Sequence, residues 1–186
     1  MSQKNRLDGG QIDRKRPLSF SFDGKSYEGY AGDTLASALL ANDVRLMGRS
    51  FKYHRPRGVF SSGSEEPNAL VELRGGTRQE PNTRATGVEL YDGLTAMSQN
   101  RFLSLRFDAL AFNDMLSSFL SAGFYYKTFM WPSAFWEKLY DPAIRRAAGL
   151  GRLSGKEDPD SYDKGFLHCD LLIIGSGPSG LAAALT

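Results

Sequence analysis

The residues best placed to do chemistry are Gly175, Ser176, Gly177, Pro178, Ser179 and Gly180, which together fit G-x-G-x-x-G. Alone, that spacing carries little. Here it follows the apolar run Leu171-Leu172-Ile173-Ile174 and precedes Leu181-Ala182-Ala183-Ala184-Leu185, a good helix start. A buried strand, a glycine turn and a helix in succession are the setting in which the pattern cradles a pyrophosphate. Gly175 is read as the tight turn, Gly177 as the point of close backbone approach and Gly180 as the helix–strand contact. Pro178 suits the first helical turn, where a missing N–H is no loss. The helix start then offers free N–H groups and a positive dipole end to phosphate. These six residues are the candidate cofactor-binding set. An acid that grips a ribose is expected about 20 residues after the glycines, and the sequence ends at Thr186. One strand and one helix cannot make a doubly wound sheet, so the chain alone is expected to bind dinucleotide poorly and to be a fragment.

A second stretch has the spacing of a metal site without its usual ligands. The loop 58–69 reads Gly-Val-Phe-Ser-Ser-Gly-Ser-Glu-Glu-Pro-Asn-Ala. Plant-type [2Fe–2S] ferredoxins carry C-x4-C-x2-C on such a loop. Set against Leu70-Val71, that spacing falls on Ser61, Glu66 and Ala69, none a thiolate. The expectation is a ferredoxin-like fold with no iron–sulfur cluster. No catalytic residue and no metal ligand is assigned. His54 and His168 lie far apart and are read as structural, and Cys169 as a small core residue. Arg45, Arg49, Lys52, Arg55 and Arg57 form a basic run without an acid, in which Arg55-Pro56-Arg57 is read as a rigid turn facing a neighbouring subunit or domain.

The elements that position these residues begin with Leu18-Ser19-Phe20-Ser21-Phe22, which alternates like a half-buried strand. Asp23-Gly24 signals a hairpin and Lys25 to Tyr30 the return strand. Asp33 or Thr34 can cap a helix burying Leu35, Ala38 and Leu39. Further strands are expected at 69–73 and, more weakly, at 86–91. Phe102, Leu105, Ala109, Phe112, Leu116 and Phe119 step like an amphipathic helix. An aromatic cluster follows (Phe124, Tyr125, Tyr126, Phe129, Trp131, Phe135, Trp136, Tyr140), read as packing between domains, and then a linker over 143–165. The fold class is thus α+β: a tail over 1–16, a cysteine-free β-grasp domain over 17–97, a helical connector and linker over 98–165, and the first strand-turn-helix of a Rossmann-type α/β domain over 166–186.

Composition narrows the function classes. The 186 residues are 41% hydrophobic and 24% charged, enough for a packed core. A net charge of +2 gives no case for a nucleic-acid partner. The single cysteine excludes a disulfide framework and fits a cytoplasmic location. An uncharged apolar-rich run of 12 residues lies between Asp114 and Lys127, short of the roughly 20 a membrane span needs. No membrane partner is expected.

The run Gly48-Arg49-Ser50-Phe51-Lys52-Tyr53-His54-Arg55-Pro56-Arg57-Gly58, the cysteine-free loop and the late glycine motif resemble the alpha subunits of heterotetrameric sarcosine oxidases. The resemblance covers essentially the whole chain. It implies a β-grasp domain, then an NAD-binding region holding Gly175, Gly177 and Gly180, and further on a folate-handling domain. It implies a beta subunit as foremost partner, FAD and FMN in the whole complex, and oxidation of sarcosine to glycine. The one-carbon unit passes to tetrahydrofolate and electrons to oxygen, giving hydrogen peroxide. No residue of 1–186 is the sarcosine-oxidising base, so the fragment is expected to be inactive. Subunits of hydrogen cyanide synthase and opine oxidases look similar but carry cysteines in the loop. Two alternatives stay open: a subunit of that kind, or a non-catalytic β-grasp module for subunit assembly.

Overall fold

The computed structural model describes residues 3–118, 122–123, 131–147 and 151–186. Strand β1 (Asp13–Phe22) turns through Asp23-Gly24 into β2 (Lys25–Ala31). Both turn residues have positive φ, 49° and 76°, as a two-residue hairpin requires. Alternation puts Phe20 and Phe22 into the core, each 3% exposed. Helix α1 (Leu35–Ala41) then packs against the sheet. Its start is a capping box: Thr34 N–H donates to Ser37 Oγ at 2.9 Å, and Ser37 N–H to Thr34 Oγ1 at 3.1 Å. The helix buries Leu35, Ala36, Ala38, Leu39 and Ala41.

Short strands β3 (Gly48–Arg49) and β4 (Pro56–Arg57) form a separate ladder. Strands β5 (Leu70–Leu73), β6 (Glu80–Arg84) and β7 (Leu94–Ser98) complete a mixed five-stranded sheet in the order β2-β1-β7-β5-β6. β7 runs parallel to β1 and the other pairs are antiparallel. One core of Phe20, Phe22, Leu35, Leu39, Met47, Val71 and Leu94, among others, lies between helix and sheet.

Five expectations need correction. Residues 86–91 are not a sheet strand. Val88 O and Leu90 N–H instead bond Leu35 N–H and Asp33 O at the start of α1. The sheet takes Leu94–Ser98, whose buried-exposed alternation begins only after the Asp92-Gly93 turn. The amphipathic helix from Phe102 also fails to form. Leu103 has φ 81°, and the Asp108 side chain accepts from Phe102 N–H at 3.2 Å and Leu110 N–H at 2.9 Å. An aspartate that bonds nearby backbone competes with helix, and what remains is a 3-10 turn over Ala109–Asp114. Of that helix's expected face, Leu105 is buried and Phe102 and Phe112 are exposed; Phe119 lies outside the described residues, as do Phe124, Tyr125, Tyr126 and Phe129 of the aromatic cluster.

The amino-terminal stretch is not a free tail. Arg6 forks onto buried Asp33 at 3.1 and 2.7 Å, and β1 already begins at Asp13. The segment read as a linker starts inside the helix Asp141–Ala147 and is then held to β6 and the turn before it: Gly151 N–H donates to Asn82 Oδ1, and Arg78 pairs with Asp160 at 2.5 Å. Finally, Leu171–Ile174 is no strand. Leu171, Leu172 and Ile174 are exposed, because a strand of this kind forms only against neighbours and none pairs with it here.

Candidate functional site

The glycine turn has its local geometry without its sheet. Gly175 has φ 106°, open to glycine and strained for other residues. Gly177 caps the helix Pro178–Leu185 with Pro178 in its first turn, and Leu181 N–H closes that turn onto Gly177 O at 3.0 Å. A Cβ on Gly180 would run into the Gly175 carbonyl, whereas one on Gly177 would meet nothing within 4 Å. Gly180 thus packs the helix onto the turn, and Gly177 leaves its outer side open. Ser176, Pro178 and Ser179 are exposed beside it. The stretch can present backbone N–H groups to a phosphate. His168 and Cys169 are exposed too, so Cys169 is not the core residue its size and neighbours led us to expect.

The loop 58–69 brings together all three positions picked out by the ferredoxin spacing. Glu66 is fully buried. Its Oε2 accepts from Phe60 N–H at 2.7 Å and Ser61 N–H at 2.6 Å. Its Oε1 accepts from Asn68 N–H at 2.7 Å and Ala69 N–H at 3.0 Å. Burial would raise the pKa of this carboxyl, but the backbone donors of Ser61, Asn68, Phe60 and Ala69 more than reverse that and hold it below its ordinary range. Sequence reasoning placed Glu66 at the right position and missed its role. The sequence shows only an acid in a Gly/Ser/Pro loop; the backbone donors that give it its role leave no mark in the sequence.

The basic run is pinned rather than splayed. Arg49 donates to the carbonyls of Leu105, Arg106 and His54. Buried His54 Nδ1 lies 2.8 Å from Asp108 Oδ2, tying the β3–β4 loop to residues 102–110. Arg55 bonds Asp114 at 2.6 Å and lies over the Tyr53 ring at 4.7 Å. So Arg55-Pro56-Arg57 is not a turn presenting two free guanidiniums: Arg55 is engaged, and Pro56–Arg57 forms β4.

These features define a ferredoxin-like α+β domain followed by a glycine-motif helix start. Residues 15–101 match a family model described as "2Fe-2S iron-sulfur cluster binding domain". The match overturns the expectation of a protein with no iron–sulfur cluster, since the family is a cluster-binding one. The donor set is a separate matter. Such clusters are held by cysteine thiolates; residues 15–101 contain none, and Cys169 lies outside them. The side chains at Ser61, Glu66 and Ala69 therefore do not fit thiolate ligation.

The chain is a homologue of sarcosine oxidase alpha subunits. It is 66% identical over 177 residues to that of Rhizobium meliloti, covering 95% of this chain and 18% of the relative. It is 34% identical over 194 residues to that of Corynebacterium sp. strain U-96, covering 99% of this chain and 15% of that protein. The chain thus spans less than a fifth of these relatives' length. Among solved structures, L-proline dehydrogenase from P. horikoshii aligns over 46% of this chain and 16% of its own, at 27% identity and a TM-score of 0.37.

Proposed function

We propose that this chain forms part of the alpha subunit of a sarcosine oxidase, the NAD-binding subunit of a flavoenzyme complex. The observation that carries the reading is 66% identity to a sarcosine oxidase alpha subunit over 95% of the chain. The complex oxidises the N-methyl group of sarcosine. The C–N bond of the oxidised amine breaks and glycine leaves; the one-carbon unit is released as formaldehyde, with water supplying its oxygen, or is passed to tetrahydrofolate, and two electrons with two protons reduce oxygen to hydrogen peroxide. The CH–NH donor, FAD and FMN belong to the assembly, with the beta subunit as foremost partner and the cytoplasm as location. The role of this chain is scaffold and phosphate cradle. Gly175, Ser176, Gly177, Pro178, Ser179 and Gly180 hold the pyrophosphate of NAD at the helix start, and NAD, when bound, supplies a nicotinamide able to accept hydride. Two features support a larger setting. Leu171, Leu172 and Ile174 are 74%, 70% and 87% exposed, an apolar strand sequence without a sheet; and the relatives are more than five times longer.

The test uses the subunit containing this chain, expressed with its partner subunits. Sarcosine-dependent hydrogen peroxide is expected from the complex and none from residues 1–186 alone. Gly180→Val in the long subunit is expected to lower NAD affinity at least tenfold, read by fluorescence titration, because its side chain meets the Gly175 carbonyl. A complex inert to sarcosine removes the reading, and unchanged NAD affinity removes the assignment of the motif.

A further inference from the structure

A carboxylate taken out of water needs charge compensation or several strong donors. Among the described residues, no Lys, Arg or His side chain pairs with the Glu66 carboxylate; Arg84 Nε reaches the Glu66 backbone carbonyl instead, at 3.2 Å. The short donors are all backbone N–H groups, two per oxygen, at 2.6–3.0 Å, and Ser61 Oγ adds one longer contact to Oε2 at 3.4 Å. They arrive from opposite sides of the residue: Phe60 and Ser61 precede it, Asn68 and Ala69 follow it. The carboxylate therefore closes the loop into a ring. That ring is anchored to the domain by Thr86 Oγ1 donating to Gly63 O at 2.7 Å and by Ala85 N–H donating to Ala69 O at 2.9 Å. Converging backbone N–H groups of this kind make an anion-binding concavity.

We infer that the N–H groups of Phe60, Ser61, Asn68 and Ala69 form a carboxylate-binding site whose resident ligand is the chain's own Glu66. The site recognises a planar two-oxygen anion, because each oxygen takes a separate pair of donors. It orders residues 60–69 only while filled. Ser61, Glu66 and Ala69, the positions at ferredoxin ligand spacing, are all members of the ring. The inference stands on the loop geometry and is independent of the sarcosine oxidase reading.

The test compares wild type, Glu66→Ala and Glu66→Gln by amide hydrogen exchange in NMR, with sodium formate or sodium chloride at equal ionic strength. In Glu66→Ala the four amides are expected to exchange at least tenfold faster. Formate, small enough for the vacated space, is expected to restore their protection in a saturable way, and chloride is not. Glu66→Gln keeps one acceptor oxygen, so one pair of amides stays slow and the other speeds up. The inference is overturned if the amides of Glu66→Ala exchange as in wild type, or if formate does no more than chloride. If Glu66→Ala does not fold, formate-dependent refolding supports the site; failure with formate, together with four slow amides in Glu66→Gln, overturns it.

Discussion

Glu66 sets how the protein responds to acid at the scale of one residue. Its carboxyl is held below the ordinary range in the folded chain, since burial, which raises it, is outweighed by backbone donors. A group with a depressed folded pKa stabilises the fold above its unfolded value of about 4.3 and loses that contribution as pH falls through the folded value. Wild type should therefore be more stable than Glu66→Gln at pH 7, and the gap should narrow steadily below about pH 4. Urea unfolding of both proteins at several pH values measures this, and a gap constant from pH 7 to pH 3 would sink the argument. The comparison isolates Glu66 from Asp43 and Asp158, whose pKa values are also lowered, since both are present in both proteins, whereas neighbouring Glu65, which the Glu66 charge pushes up, shifts further down with the substitution.

At the scale of elements, α1 sits close to β2 because Gly29 has no side chain. A Cβ there would overlap the Leu90 side chain and touch Ala38 Cβ. Leu90 can turn aside, but Ala38 moves only with its helix. Gly29→Ala should therefore cost about 1–3 kcal/mol, as overpacking of a tight core does, read as a lower urea midpoint at unchanged slope. A variant as stable as wild type would show that α1 shifts freely on the sheet. Much of this layer was legible in the sequence. The alternation of Leu18, Phe20 and Phe22, the Asp23-Gly24 turn and the Thr34 cap each have a local cause. What was not legible has non-local causes. β6 (Glu80–Arg84) is a polar edge strand containing Pro81, with no alternation of apolar residues to announce it. Val88 and Leu90 looked like strand residues because they are core residues, yet their backbone serves α1. The failed helix at Phe102 turned on Asp108, whose partner His54 is 54 residues away. The glycine turn could be read because its geometry is local, and the ring around Glu66 could not, because its donors are backbone.

At the scale of the whole molecule, two kinds of chain are joined. Residues 13–98 carry the sheet, α1 and nearly all the buried apolar side chains. From 161 onward, Phe166, Leu167, Leu171, Leu172, Ile174 and Leu185 are all at least 70% exposed. Apolar surface of that extent marks a contact site, and an unpaired strand sequence marks one that sheet neighbours would fill. The boundary between the two kinds should be sharp. Residues 151–160 are tied to Arg78, Gln79 and Asn82, in β6 and just before it, through Asp160, Arg152 and Gly151, whereas Lys164 lies beyond the last of these ties. Open, weakly held backbone is where proteases cut first. Limited trypsin digestion of the 186-residue chain should therefore cleave after Lys164 before any site within 13–98, leaving a core that retains the five-stranded sheet. Within the long subunit, where the proposed neighbours of Leu171–Ile174 are present, the same bond should be protected. Early cleavage after Arg74 or Arg84 would mean that the β5–β6 edge, not the glycine-motif segment, is the weakly held part of the molecule.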